Sequence, residues 1–196
     1  NTLSSFSKII IFLILSSNLL KLLINLVILA FLPPALLPTW SINLKLVNLN
    51  ALESAYIIQR IQRYDIKGKE LLQTNEKYFV GDHSLIYGVM GYKDRMISGI
   101  LENIVLNELL TRGYKVYVGR VDDLEIDFVA ENREGLKYYQ VALSVREESV
   151  LQRELRSLEK TGDHYPKYLL TLDMDLESDY NGITKINVID WLLKDN

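Results

Sequence analysis

Three short stretches decide the fold that this sequence predicts: Gly99-Ile-Leu-Glu102-Asn103, Leu124-Glu-Ile-Asp127-Phe128 and Tyr139-Gln140-Val-Ala142. The first stretch lies in a run with the spacing of an amphipathic helix, and the other two lie in runs rich in strand-forming residues. The helix therefore brings one carboxylate, Glu102. The first strand brings a second carboxylate, Asp127, and the next strand brings the side-chain amide of Gln140. We expect these three side chains to converge.

Carboxylate and amide oxygens are ligands that Mg²⁺ accepts in proteins. A cation held in this way polarises a phosphate and activates the water that attacks it. We therefore predict Glu102, Asp127 and Gln140 as catalytic and metal-ligating residues, with Glu125 as a further ligand. The alternative interpretation is structural: Asp127 caps a turn or pairs with an arginine, and Glu102 makes ordinary contacts on the helix surface.

Alternation of side chains along the two strands predicts which faces of the sheet they occupy. Asp127 stands between Ile126 and Phe128 in the sequence, so we expect it on the face opposite those two apolar residues. On the next strand, Gln140 and Ala142 share one face. The three-residue pattern that begins at Gln140 ends in an alanine, which offers no charge.

The order of the elements predicts an α/β domain with a mixed sheet flanked by helices. Leu49–Arg63 has the spacing of an amphipathic helix, and Ser98 is the predicted cap of a helix that ends at Arg112. Ser144 and Glu147 form a capping-box pattern for a second helix. Strands are predicted at Tyr114–Val118, Leu124–Ala130, Leu136–Leu143, Lys167–Asp173 and Ile183–Val188, with Gly119–Asp123 as a turn.

The first 47 residues differ from the rest of the chain in composition. Nearly every residue from Ile9 to Leu32 is apolar, which suits a membrane-spanning helix that would anchor the protein. A pair of buried helices, broken near residues 16–18, is a second interpretation. A frame-shifted product is a third, because residues 19–47 contain no Gly, Asp, Glu or Arg. We therefore divide the chain into an apolar helical segment, 1–47, and an α/β domain, 48–196.

Composition excludes several kinds of site. The 196 residues include no cysteine and two histidines, so thiolate sites are excluded and a histidine-rich zinc site is disfavoured. The absence of cysteine favours an intracellular setting, so a cytoplasmic location is expected unless residues 9–32 anchor the chain. No P-loop pattern occurs, so we expect this fragment not to bind ATP.

A local basic strip is the candidate surface for nucleic acid. Residues 51–196 carry a net charge of −6, so the domain lacks the broad positive field of a strong DNA-binding protein. The predicted phosphate-binding residues are Arg60, Arg63, Lys67 and Lys69, with Lys77 and the interleaved Tyr64 and Tyr78 beside them. The alternative interpretation is a solvated turn.

Eight blocks in one order along the chain resemble a known family: Leu52-Glu-Ser-Ala-Tyr56, Arg60-Ile-Gln-Arg-Tyr-Asp-Ile-Lys-Gly68, Tyr78-Phe-Val-Gly-Asp82, Gly99-Ile-Leu-Glu-Asn103, Glu108-Leu-Leu-Thr-Arg-Gly-Tyr114, Glu125-Ile-Asp-Phe128, Gln140-Val-Ala142 and Tyr165-Pro-Lys167. In these blocks, the segment from about Asn48 onward resembles the uncharacterised C-terminal domain of prokaryotic AAA-type ATPases. That domain is assigned to the PD-(D/E)XK nuclease superfamily. The resemblance implies a restriction-endonuclease-like αβββαβ core, an ATPase module upstream and a winged-helix segment just before Leu49.

The resemblance also implies roles for single residues. It places Glu102, Asp127 and Gln140 on the superfamily's acidic helix position, Asp position and Glu/Gln position. Ala142 stands where active members have a lysine that orients water and offsets charge on the phosphate, an effect of about 3 kcal/mol. The expected function is therefore a nuclease-like, DNA-associated or regulatory domain with impaired catalysis. An active Mg²⁺-dependent DNA nuclease and a membrane-anchored interaction domain are the alternatives.

Overall fold

The computed structural model describes residues 49–85, 87 and 97–194. The apolar segment 1–47, with its three interpretations, and the winged-helix segment implied before Leu49 lie outside these residues. In the part of the chain that is described, no helix is long and apolar enough to cross a membrane. The domain boundary placed after residue 47 stays a prediction.

A mixed sheet forms the centre of the domain, as the order of the elements predicts. Its strands are β1 (Ile58–Asp65), β2 (Glu70–Val80), β3 (Lys115–Val121), β4 (Leu124–Asn132), β5 (Gly135–Ala142), β6 (Lys167–Thr171), β7 (Ser178–Tyr180) and β8 (Ile183–Asn187). Their order across the sheet is β2-β1-β3-β4-β5-β6-β8-β7. The sequence does not predict β7, a strand of three residues at the edge.

The strands run in both directions. β3, β4 and β5 form an antiparallel meander, and β6 and β8 continue the sheet in parallel with β5. On the other side, β1 pairs with β3 in parallel, with Arg63 opposite Val118. β7 pairs antiparallel with β8. The meander is therefore central, and the candidate residues of β4 and β5 lie in the middle of the sheet.

Helices cover both faces of the meander. They are α1 (Ile97–Thr111), α2 (Glu148–Glu159) and α3 (Val188–Leu193). The order α1–β3–β4–β5–α2–β6 agrees with the predicted helix–strand–strand–strand–helix–strand order. Gly113, with φ of +81°, follows α1 and supplies the left-handed residue that ends the helix.

Two apolar cores form, one on each face of the sheet. Tyr139 and Val141 of β5 pack in the same core as Val105 of α1. Tyr138 and Ala142 of β5 pack in the core that contains Leu155 of α2. Because neighbouring residues of one strand alternate between these cores, α1 and α2 lie on opposite faces. We call these the α1 face and the α2 face.

A β-bulge interrupts β4 at the candidate site. Tyr117 pairs with Val129 and Gly119 pairs with Ile126, so Asp127 and Phe128 together oppose one residue of β3. Ile126 consequently packs on the α2 face, whereas Phe128 packs on the α1 face. The prediction that Ile126 and Phe128 share one face was therefore wrong, because simple alternation does not hold across a bulge.

The predicted helix Leu49–Arg63 was also wrong. Residues 49–54 are helical, but Tyr56 adopts φ of +55° and the amide of Ile57 donates to the carbonyl of Leu52 (3.0 Å), which ends the helix. From Ile58 the chain is β1. Ile61 is buried in the α1-face core, so strand pairing and burial override the helical spacing.

Three local predictions were wrong at the ends of elements. Gly119–Asp123 is not a turn, because β3 continues to Val121 and only Asp122 and Asp123 connect it to β4. α1 already begins at Ile97, so Ser98 does not cap it. The Ser144 hydroxyl donates to Asp173 (2.7 Å), and α2 begins four residues later with no side-chain cap.

Gly119 generates a testable prediction. A Cβ at this position would lie 2.8 Å from Cγ2 of Val129 and 3.0 Å from Cβ of Ile126, so both bulge neighbours exclude it. Gly119→Ala should therefore lower the free energy of unfolding by about 1–3 kcal/mol in urea denaturation. Gly99→Ala is the matched control: no atom lies within 4 Å of its added Cβ, so we expect a gain of about 0.5 kcal/mol. Equal stability of the two variants would contradict the bulge.

Candidate functional site

Lys77 of β2 joins the carboxylates of α1 and β4. Its Nζ donates to Oε2 of Glu102 (2.9 Å) and lies 3.3 Å from Oε1 of Glu125. Glu125 also accepts a hydrogen bond from Arg63 of β1 (2.5 Å). We call Glu102, Glu125 and Asp127 the acidic cluster. Lys77 of β2 and Arg63 of β1 pair with Glu102 and Glu125, and Asp127 is the third carboxylate of the cluster.

Asn103 explains why Glu102 lies beside Lys77. The buried Asn103 side chain accepts a hydrogen bond from the amide of Val80 (2.9 Å) and donates to the carbonyl of the same residue (2.8 Å). This double contact attaches α1 to the end of β2. Glu102 precedes Asn103, and Lys77 lies three residues before Val80, so the two charged groups meet.

Asp127 lies at the bulge and is 8 % exposed. Its Oδ2 accepts a hydrogen bond from the backbone amide of Val141 (2.8 Å). The backbone amide of Asp127 donates to Oε1 of Gln140 (3.3 Å). Phe128 and Tyr139 form the last residue pair of the β4–β5 ladder on this side. Past that pair, the Asp127 carboxylate accepts the Val141 amide in place of a backbone carbonyl. Asp127 has a structural role at this position, whatever else it does.

Gln140 belongs to the α2 face. Its Nε2 donates to Oε2 of Glu154 (2.9 Å), and the hydroxyl of Ser157 donates to its Oε1 (3.4 Å). Both partners are residues of α2. The structure thus links Gln140 to Asp127 through a backbone amide, while Glu102 reaches the cluster from the α1 side.

Burial and charge shift the ionisation of the cluster. Burial raises the pKa of Asp127 to about 7, and the negative charge of Glu102 adds to the rise, against the amide of Val141 and the charge of Lys77. Burial opposes the charge of Lys77, but its hydrogen bond to Glu102 and the nearby carboxylates raise the pKa of Lys77 above its ordinary value.

Glu125 shifts in the other direction. Burial would raise its pKa, but the hydrogen bond from Arg63 and the charge of Lys77 lower the pKa below the usual range. At neutral pH, Glu125 is therefore charged and paired, and Asp127 is the carboxyl that changes protonation. The cluster is an ion network in which the pKa of Asp127 is raised and the pKa of Glu125 is lowered.

The residues predicted to hold Mg²⁺ do not fit that ion well. Among residues 49–85, 87 and 97–194, no group of three or more acidic or histidine side chains is placed to hold a metal. The side-chain oxygen of Gln140 already accepts two hydrogen bonds. The Lys77 ammonium lies within hydrogen-bonding distance of Glu102. The structure brings Glu102 and Asp127 to one region, whereas the side chain of Gln140 is bound to Glu154 and Ser157 of α2.

Three described cations of β5, of β6 and of the segment between these strands have partners elsewhere. Ala142 is buried on the α2 face. Lys137 contacts the hydroxyl of Tyr114 (2.9 Å), and Lys167 contacts Asp163 (3.3 Å). Arg146 lies 3.5 Å from Asp173. Lys77 and Arg63, which the sequence assigned to the basic strip, are the cations that bind the acidic cluster.

The alternation of side chains along β2 gives a sequence indication that Lys77 pairs with a carboxylate. Lys77 and Phe79 share a side of β2, and the Lys77 ammonium lies 5.4 Å from the centre of the Phe79 ring. Phe79 is buried in the α1-face core and contacts Phe128. A lysine on the same strand face as a buried aromatic residue is partly removed from water, so its charge needs a carboxylate partner. The sequence does not show which carboxylate that is.

Most of the cations in the predicted nucleic-acid strip form ion pairs. Arg63 pairs with Glu125, and Lys67 pairs with Asp122 (2.7 Å). Arg60 lies 3.6 Å from Glu76. Lys69 is exposed in the turn between β1 and β2, with φ of +56°. Phosphate contacts would have to compete with these pairs, most of which are partly exposed and therefore weak.

A comparison with known proteins finds a relative of this chain. The chain is 40% identical over 146 residues to an uncharacterized protein of Haemophilus influenzae. The match covers 74% of this chain and 36% of that protein, so the chain spans about one third of the length of the relative it matches. No family model and no solved structure matches the chain.

The raised pKa of Asp127 generates a prediction about pH. A carboxyl whose pKa is higher in the folded than in the unfolded state stabilises the fold below about pH 4, and that contribution is lost as pH rises through about 7. Relative to Asp127→Asn, the unfolding free energy of the wild-type protein should therefore fall by roughly 3 kcal/mol between pH 4 and pH 8.

Urea unfolding of both proteins at several pH values measures this difference. Asp123→Asn, which removes an exposed carboxylate from the β3–β4 turn, controls for the general effect of one negative charge. Parallel pH profiles of the wild-type and Asp127→Asn proteins would contradict the assignment of Asp127 as the titrating member of the cluster.

Proposed function

We propose that the segment from residue 48 onward is a nuclease-like domain of the PD-(D/E)XK superfamily that contacts nucleic acid and has lost most of its catalytic power. The observation that carries the proposal is that Lys77 binds Glu102 of α1 and interacts electrostatically with Asp127 of β4, within the element order α1–β3–β4–β5–α2–β6. The restriction-endonuclease-like core is part of this proposal. It is supported by the element order and by the parallel pairing of β5 with β6.

Three features support impaired catalysis. Ala142 cannot orient a water molecule or offset charge on a phosphate, because its side chain is a methyl group. The amide of Gln140 is bound to the backbone of β4 and to α2, which reduces its capacity to ligate a cation. Oxygen ligands for Mg²⁺ must also surround an accessible space. Lys77 reduces that space at the acidic cluster.

The partner module is also a proposal. The resemblance implies an AAA-type ATPase joined to this domain, and the Haemophilus influenzae relative has about two thirds of its length outside the match. That length leaves room for such a module. In this arrangement the present domain would serve the ATPase as a nucleic-acid-contacting or regulatory platform.

The turn between β1 and β2 is the proposed contact with phosphate. Lys67 and Lys69 lie in this turn, and Lys67 pairs with an exposed aspartate that a phosphate could displace. Because residues 51–196 carry a net charge of −6, we expect weak binding with strong salt dependence. Sequence specificity is not expected, since contacts to phosphate carry none directly.

Fluorescence anisotropy with labelled single- and double-stranded oligonucleotides tests this contact. Combined Lys67→Ala and Lys69→Ala substitutions should weaken binding several-fold and reduce the slope of log affinity against log salt by about two. Combined Lys115→Ala and Arg133→Ala substitutions remove two exposed cations from the opposite end of β3 and should change affinity much less. Equal losses of affinity in the two double variants would contradict phosphate binding at the strip.

One observation favours a second function, an active Mg²⁺-dependent DNA nuclease. The Lys77 ammonium bonds to Glu102 and interacts with the charge of Asp127, so it could supply from β2 the positive charge that is missing at Ala142. In that case Lys77 would hold the attacking water and stabilise the charge that develops on the phosphate.

A cleavage assay separates the two functions. Supercoiled and linear DNA are incubated with Mg²⁺ or Mn²⁺ and with the wild-type, Asp127→Asn and Lys77→Met proteins. The first function predicts no cleavage above the level of Asp127→Asn. The second function predicts cleavage by the wild-type protein that requires the divalent metal. It also predicts that the cleavage rate falls by at least 100-fold (about 2.7 kcal/mol) in both variants.

A further inference from the structure

The position of Lys77 relative to three carboxylates is the starting observation. Nζ of Lys77 contacts Glu102 at 2.9 Å and Glu125 at 3.3 Å, and it interacts electrostatically with Asp127. Glu102 is on α1, and the other two carboxylates are on β4. The ammonium therefore lies where the negative charges of two different elements meet.

The protein itself supplies the neutralising charge of this cluster. Lys77 and Arg63 offset the charges of Glu102 and Glu125, and only Asp127 is left over. A divalent cation entering the cluster would be repelled by the Lys77 ammonium. It would also find the charges of Glu102 and Glu125 already compensated. Lys77 is 30 % exposed along its side chain, so its charge is only partly screened by water.

The Lys77 side chain is also held in place by a cation–π contact with Phe79. Its ammonium lies 5.4 Å from the centre of the Phe79 ring, on the same side of β2. Asn103 attaches α1 to Val80, which keeps Glu102 within reach of the ammonium. The ammonium is thus positioned by both a strand and a helix, and moving it away would break contacts with both carboxylates.

We propose that Lys77 is the resident cation of the acidic cluster: its ammonium replaces the divalent metal that the proposed nuclease ancestry implies, and the domain keeps Glu102, Glu125 and Asp127 together without binding Mg²⁺ or Mn²⁺. The inference rests on the proposed function only for the identity of the displaced ion. The cluster serves as an internal ion network that attaches α1 to the sheet.

Metal binding without nucleic acid tests the replacement. Mn²⁺ titration of the 196-residue chain, followed by electron paramagnetic resonance of free Mn²⁺, should show no saturable site in the wild-type protein. Lys77→Met keeps the aliphatic length beside Phe79 and removes the charge, so this variant should gain a saturable Mn²⁺ site that the wild-type protein lacks. Adding Asp127→Asn to Lys77→Met should abolish that gain.

Thermal unfolding provides a second readout and a matched control. Lys77→Met should lower the unfolding temperature, and Mn²⁺ should restore part of the loss. Lys77→Arg keeps the charge and should remain insensitive to Mn²⁺. Lys137→Met removes a lysine of β5 that has a similar exposure and contacts Tyr114, and this variant should gain no Mn²⁺ site.

Two results would overturn the proposal. Saturable Mn²⁺ binding by the wild-type protein that Asp127→Asn abolishes would show that Lys77 accompanies a metal rather than replacing it. Failure of Lys77→Met to bind Mn²⁺ would show that the cluster is no cation site, and Lys77→Gln provides the same test if the methionine variant does not fold. Neither result depends on nucleic-acid binding, so the proposed function is tested separately.

Discussion

The β-bulge at Asp127 and Phe128 is the constraint on which the centre of this domain depends. Two residues of β4 oppose one residue of β3, and Gly119 allows Val129 and Ile126 to approach closely enough for that arrangement. The bulge sends Phe128 into the α1-face core and leaves Ile126 in the α2-face core. Both cores thus depend on one irregular step in one strand.

The same step determines the environment of the acidic residue. Asp127 is buried beside the β4–β5 ladder, where its carboxylate accepts the amide of Val141 and its own amide is bound by Gln140. Burying a carboxylate is costly unless hydrogen bonds or opposite charges compensate. Here one backbone amide and the more distant Lys77 compensate only in part, which is why the pKa of Asp127 rises to about 7.

The contacts that join α1 to the sheet are polar as well as apolar. Val105 and Leu109 pack into the core, while Asn103 binds the backbone of Val80 and Glu102 binds Lys77. Replacing one partner of such a network leaves the other without compensation, so single substitutions at these positions act on stability as well as on any activity. Variants of the cluster therefore need unfolding measurements beside functional assays.

The sequence by itself determined the α/β class, the order of the central elements and the presence of acidic residues on a helix and a strand. These follow from local periodicity, from turn residues such as Gly113, and from side-chain chemistry. Only the tertiary structure decided that residues 58–65 form a strand, that a bulge separates Ile126 from Phe128, and that Lys77 meets Glu102. The physical reason is that strand pairing, register and charge pairing join residues far apart in the chain, and their energies exceed the local preferences that a sequence displays.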